Sequence, residues 1–198
     1  MSVELFLSLT GLALATLWTP GPNNAMLASS GATHGLRATA PHALGVALGF
    51  GLMLGCVGLG LGAAFEARPA LGIAMKYASA AVLIWIAWKI GTAGGLRSAE
   101  GRARPFRFHE AAAFQWINPK AWAMAISVAG QAAAAAAGPG PALIAAALFS
   151  VLGLMSAFGW ASLGAALQGW LAHGRRMIWF NRAMAALILA SVAALMRA

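Results

Sequence analysis

Residues 5–30 read LFLSLTGLALATLWTPGPNNAMLASS, with no charged side chain among them. A helix needs about 20 apolar residues to cross the hydrocarbon core of a bilayer, and this stretch supplies them. In its second half stands Thr19-Pro20-Gly21-Pro22-Asn23-Asn24. Proline has no amide donor and its ring collides with the preceding turn, so two prolines around a glycine break a helix. In lipid, the backbone groups freed by a break must be satisfied by protein or water. This break is therefore expected to face a bundle interior or a cavity.

Outward from this stretch the same apolar character recurs in five further segments. They run from about Ala43 to Phe65, Leu71 to Ile90, Ala111 to Ala137, Ala142 to Leu171 and Met177 to Met196. The fourth span, Ala111 to Ala137, is interrupted at Asn118-Pro119-Lys120. That triplet reads as a helix start inside the membrane, with Asn at the cap and Pro at the first helical position. Composition agrees with a lipid-facing chain. Hydrophobic residues make up 61% and charged residues 9%, and the mean hydropathy is +0.78. A soluble domain carries roughly 25% charged residues to cover its surface.

The formal net charge is +9, from thirteen basic and four acidic residues. A nucleic-acid partner is not expected, because the basic residues gather between long uncharged stretches as they do in membrane topology. Anionic lipid headgroups suit Arg102, Arg104 and Arg107 better. Met1-Ser2-Val3-Glu4 carries no positive charge ahead of the first apolar run, so the N-terminus is read as a retained span and not as a cleaved signal. Cys56, the single cysteine, excludes an internal disulfide and a thiol metal site and reads as a small packed residue.

The polar connection from Gly91 to His109 divides the chain into halves with three spans each. The expected fold is an all-α integral membrane protein of about six transmembrane helices. Repeat one is 1–91, a basic cytoplasmic loop is 92–109, and repeat two is 110–198. An odd number of spans per half turns the second half upside down, the arrangement of inverted-repeat transporters. Trp18 and Met26 find echoes in Trp116 and Met124 at the same offset. Arg37, the 92–109 loop, and Arg175 with Arg176 fall on one side, expected to be cytoplasmic, with both termini outside. Trp85, Trp88, Trp170 and Trp179 read as interfacial anchors. Gly45 to Gly49 and Gly51 to Gly55 read as close helix contacts.

Each break begins a half-helix with partial positive charge at its N-terminus. Two such ends facing each other make a site for a carboxylate, and Lys120 adds a full charge. The expected substrate-binding set is Pro20, Gly21, Pro22, Asn23, Asn24, Asn118, Pro119 and Lys120, with no catalytic or metal-ligating residue and no cofactor. There is no aspartate, and Glu4, Glu66, Glu100 and Glu110 lie near span ends or in loops. A cation pump usually keeps a carboxylate in the membrane; only Glu110, if it tucked inward, could serve. A neutral substrate therefore fits better than a basic one. His34, His42, His109 and His173 read as interfacial residues near span ends, with His42 or His109 able to titrate in a coupling role. No phosphate-binding loop is present, and Ser29, Ser30 and His34 do not make a convincing hydrolase, so an enzyme is not expected.

The stretch Thr19-Pro20-Gly21-Pro22-Asn23, followed by Gly31, Gly35, Arg37 and Gly45-x-x-x-Gly49, resembles the lysine exporter (LysE/RhtB) family of amino-acid efflux permeases. So do Ile117-Asn118-Pro119-Lys120-Ala121 and the run from Arg175-Arg176 through Asn181. The resemblance covers essentially the whole chain. It departs at Ala132 to Ala137, where family members often carry a Pro-Gln-Phe-like sequence and only Gln131 is similar. The resemblance implies a multi-pass exporter of amino acids or related metabolites in the bacterial cytoplasmic (inner) membrane. It implies coupling to an ion gradient, H+ being the expected ion, and a homodimer. Residues and resemblance together lead to a secondary transporter working by alternating access. A metabolite channel and a non-transporting scaffold are the alternatives.

Overall fold

A computed structural model describes residues 2–62, 67–93, 104–135 and 138–197. Expectations placed on Glu66, Glu100, Arg102, the end of the second span at Phe65 and the end of the alanine run at 136–137 lie outside the described residues. Among the described residues every regular element is helical. We number them α1 (Val3–Trp18), α2 (Pro22–His34), α3 (Leu36–Cys56), α4 (Pro69–Gly91), α5 (Phe108–Gln115), α6 (Pro119–Ala135), α7 (Gly140–Leu171) and α8 (Arg176–Arg197). A π-type turn, Val57–Leu61, prolongs α3.

Four helices are long and apolar enough to cross a membrane: α3 with its π turn, α4, α7 and α8. Helices α1 and α2, bent by 54° at the Pro-Gly-Pro break, make a fifth where the bent pair counts as one span. The expected fourth span, α5 with α6, does not reach that length and apolarity among the described residues. The reason lies in its polar content: Glu110, Gln115, Asn118 and Lys120 fall within its two short helices and the break between them. The chain is thus a multi-pass membrane protein with four to five apolar spans.

The second span begins earlier than its apolar content suggested. Helix α3 starts at Leu36, passes through Pro41 and places His42 inside a span, where the sequence suggested a span end. Pro41 stands past the first turn, so it forfeits the bond that an amide there would give the Arg37 carbonyl. Gly35 makes the turn from α2 to α3: its φ of 80° favours glycine, and its N–H caps α2 by donating to the Gly31 carbonyl.

The two largest of four apolar clusters among the described residues hold most of the bundle. One joins α1, α3, α6 and α7 through Leu9, Phe50, Met53, Trp122, Val128 and Phe149. The other joins α2, α4, α5 and α8 through Met26, Leu83, Phe114 and Ile188. Each broken helix pair, α1–α2 and α5–α6, therefore donates one helix to each cluster, and the breaks lie where the clusters meet. The glycine spacing is a packing device: a Cβ on Gly45 or Gly49 would collide with α5, and one on Gly51 with Ser150 of α7. Trp85, Trp88, Trp170 and Trp179 are exposed. Lys89, Arg176 and Arg182 lie over Trp85, Trp170 and Trp179 at 4.4, 4.7 and 5.1 Å, as fits a headgroup-level belt.

Candidate functional site at the two helix breaks

Each break frees backbone carbonyls, and side chains from distant elements take them up. At the first, Asn24 Nδ2 donates to the carbonyls of Leu17 (2.8 Å) and Thr19 (2.9 Å). Ser156 Oγ of α7 donates to Leu17 as well, at 2.8 Å. At the second, the Trp122 indole N–H donates to the Trp116 carbonyl (2.8 Å), and Ser79 Oγ of α4 donates to that of Ile117. Asn118 caps α6 as expected, its Oδ1 accepting from the Lys120 N–H at 3.2 Å. Helix α2 has Pro22 in its first turn and no side-chain cap at Gly21. Its first N–H groups are left for another partner.

The breaks touch each other. Lys120 Nζ donates to the Thr19 carbonyl at 3.1 Å, across 101 positions of sequence. Gly21 packs against it so closely that a Cβ there would stand 3.3 Å from Nζ. Asn23 and Gln115 form a reciprocal amide pair, with Asn23 Nδ2 donating at 2.8 Å and Gln115 Nε2 returning at 3.4 Å. Gln115 also donates to the Ala111 carbonyl at 2.9 Å. Among the described residues Lys120 has no carboxylate partner, and the one ion pair, Arg104–Glu110, lies outside the bundle interior.

A cavity of about 50 Å³ opens between the breaks. Gly21, Pro22, Asn23, Asn24, Asn118 and Lys120 line it, with Gln115 and Ser156. Pro20 and Pro119 do not line it: Pro20 is exposed and Pro119 opens α6. Six of the eight expected residues thus meet at one cavity, while the two outlying prolines shape the backbone that meets there. Gln115 and Ser156 escaped the sequence reading. Neither stood out in the sequence, because Gln115 shares α5 with His109 and Glu110, and Ser156 shares α7 with Ser150 and Ser162. Glu110 does not tuck inward. It accepts from both guanidinium nitrogens of Arg104 (2.6 and 2.5 Å) and from the Arg107 N–H (2.8 Å). The hydrogen bonds from Arg104, then that from Arg107, hold its carboxyl down at about 2.

Fold and site together define a multi-pass membrane protein with a small polar cavity built from two broken helices. The chain belongs to the LysE type translocator family, which it matches over residues 14–197. Among curated proteins it is similar to the cysteine/O-acetylserine efflux proteins of Escherichia coli (strain K12) and Shigella sonnei (strain Ss046), with 37% identity over 108 residues. That of Escherichia coli O1:K1 / APEC is 37% identical over 112 residues. Each match covers 54% of this chain and 54% of the relative; the chain spans about half the length of the curated relatives it matches. No solved structure matches. Family and relatives point to a transporter and not to an enzyme.

Proposed function

We propose that the protein is a secondary transporter that exports a small neutral amino acid, or a closely related metabolite, across the bacterial cytoplasmic membrane by alternating access. The observation that carries this reading is Lys120. Its ammonium stands in the cavity beside the uncapped start of α2, with only a neutral carbonyl as partner. A half-buried cation with no acid suits an anionic ligand group, because a charge-assisted hydrogen bond recovers what desolvation costs. A substrate carboxylate would accept from Lys120 Nζ and from the first N–H groups of α2. The carbonyls of Leu17 and Thr19 and the amide oxygens of Asn23, Gln115 and Asn118 are acceptors for its ammonium. With no acid there to pair a basic side chain, the set favours a neutral amino acid. The names of the efflux proteins matched above, which mention cysteine and O-acetylserine, are in keeping with that class.

In this reading the Asn23–Gln115 pair is the contact that parts and re-forms as the two breaks separate. The halves 1–91 and 110–198, joined by 92–109, are inverted repeats, each a broken span followed by two long helices. Protons drive export, and the working unit is a homodimer. The test is uptake and efflux of a radiolabelled amino-acid panel, including cysteine, O-acetyl-L-serine, other neutral amino acids and lysine, in proteoliposomes with an imposed proton gradient. Saturable, gradient-driven movement of one or a few neutral members is expected. Unsaturable flux would mean a pore, and no flux from folded, inserted protein would sink the transport reading.

A further inference from the structure

His42 is 2% exposed, and neither of its ring nitrogens has a hydrogen-bond partner among the described residues. A neutral imidazole carries one donor and one acceptor nitrogen. Burying both unpaired is costly, so the ring needs partners that the described residues do not supply. The ring is closed off by Phe106, with centroids 5.3 Å apart. Phe106 packs edge-on against Phe114 of α5 at 6.3 Å. The chain carrying Phe106 is pinned next to it by the Arg104–Glu110 pair and the Glu110–Arg107 backbone bond. On the other side, Val46 lies one helical turn farther along α3 and lines the cavity at the breaks. His42 therefore stands between that cavity and the basic end of the bundle, with one aromatic ring on the outer side.

Resting on the transport reading above, we propose that His42 carries the coupling proton: its imidazole takes a proton from water in the cavity and releases it to water at the basic end when Phe106 moves aside. Titratable groups on the elements packed against α3 are His34 of α2, His109 and Glu110 of α5 with Arg104 and Arg107 ahead of it, and Lys120 of α6; α7 has none. On α3 itself are Arg37 and Cys56. None of them bonds the His42 ring. Glu110 is committed to Arg104, and Lys120 to the Thr19 carbonyl. His109 is exposed, and the exposed His173, in the turn after α7, pairs with the Gly169 carbonyl.

The experiment uses the full chain in proteoliposomes and the amino acid identified by the panel, O-acetyl-L-serine being the first tried. Two quantities are read: accumulation driven by a pH gradient, and exchange of label between equal concentrations without a gradient. His42→Asn keeps a polar side chain that carries no proton. It is expected to lose gradient-driven accumulation and keep exchange. Phe106→Ala leaves the imidazole in place, and it is expected to leak protons without substrate; adding His42→Asn should stop the leak. Unchanged gradient-driven accumulation in His42→Asn, parallel loss of both quantities, or no leak from Phe106→Ala overturns the proposal. Failure of the unsubstituted protein to accumulate any amino acid would instead fell the transport reading, before any substitution is made.

Discussion

Lys120 brings a full positive charge to a junction otherwise made of amides, a hydroxyl and carbonyls. Its role predicts a separation of effects. Lys120→Ala removes a charge-assisted hydrogen bond worth about 1.5–3 kcal/mol, so half-saturation in the transport assay should weaken roughly ten- to a hundredfold. Insertion and detergent Tm should hold, because the Thr19 carbonyl keeps its bond from Asn24. Normal transport by the variant would end the proposed role. Glu110 predicts the opposite separation. Its carboxyl is held at about 2, below its ordinary value near 4.5, by Arg104 and then Arg107. An acid depressed on folding stabilises fully above its ordinary value and loses that contribution as pH falls through the folded one. Nothing of it titrates between about pH 5 and 8. Glu110→Gln should lower Tm at pH 7 yet leave the transport–pH profile over that range unshifted; a shifted profile would give Glu110 a coupling role. The polar residues at the breaks were legible because proline and asparagine act on their own backbone. Gln115 was not, since its meaning lies in an amide 92 positions away.

At the scale of helices, small residues set how near α2 and α7 can come. A Cβ on Gly31 would run into the Ala161 carbonyl of α7, and one on Gly164 into the Ala28 carbonyl of α2. Helices in lipid associate through such close packing, without water to drive them together. Gly31→Ala or Gly164→Ala should therefore cost about 1–3 kcal/mol through overpacking, read as a lower Tm in detergent. Gly130, with nothing within 4 Å of an added Cβ, is the control. There Gly→Ala should be neutral or stabilising by about 0.5–1 kcal/mol. Equal effects at all three positions would show that the contact distances do not govern stability. The repeated glycines of α3 could be read as packing from spacing alone, and Gly45, Gly49 and Gly51 prove to be, while Gly55 has only ordinary contact with Ala146. The partner helix could not, because i, i+4 spacing marks a face and does not say what meets it. Helix ends were blurred for a related reason: Leu36 to His42 is less apolar than the rest of α3, yet the turn at Gly35 and the contact with Phe106 carry the helix through it.

At the scale of the whole molecule, alternating access by two inverted halves requires that the chain reach the two breaks from opposite sides of the bilayer. The distribution of charge predicts an orientation. Arg37, Arg104, Arg107, Arg175 and Arg176 lie at connections that fall on one side when the bent α1–α2 pair, α3, α4, the α5–α6 pair, α7 and α8 each cross once. The opposite connections keep only Arg68 among their described charged residues. Positive charge is retained on the cytoplasmic side. Cysteines placed at the exposed positions His109 and Ala172, in a Cys56→Ser background, should then react with a membrane-impermeant maleimide only when the cytoplasmic face is opened. Cysteines at Ala67 and Pro139 should react in intact cells. The weak point is the α5–α6 pair, which falls short of the apolar length of a span. Should it re-enter instead of crossing, His109 would keep its side, but Pro139 would be labelled from the same face as His109 and Ala172 from the opposite one. That outcome would remove the inverted repeat, since α7 and α8 would no longer run opposite to α3 and α4. The cavity would remain, because the contacts of Lys120 with Thr19 and of Gln115 with Asn23 do not depend on where α6 ends. Alternating access by two equivalent halves would then give way to a gate formed by one re-entrant pair moving against the other helices.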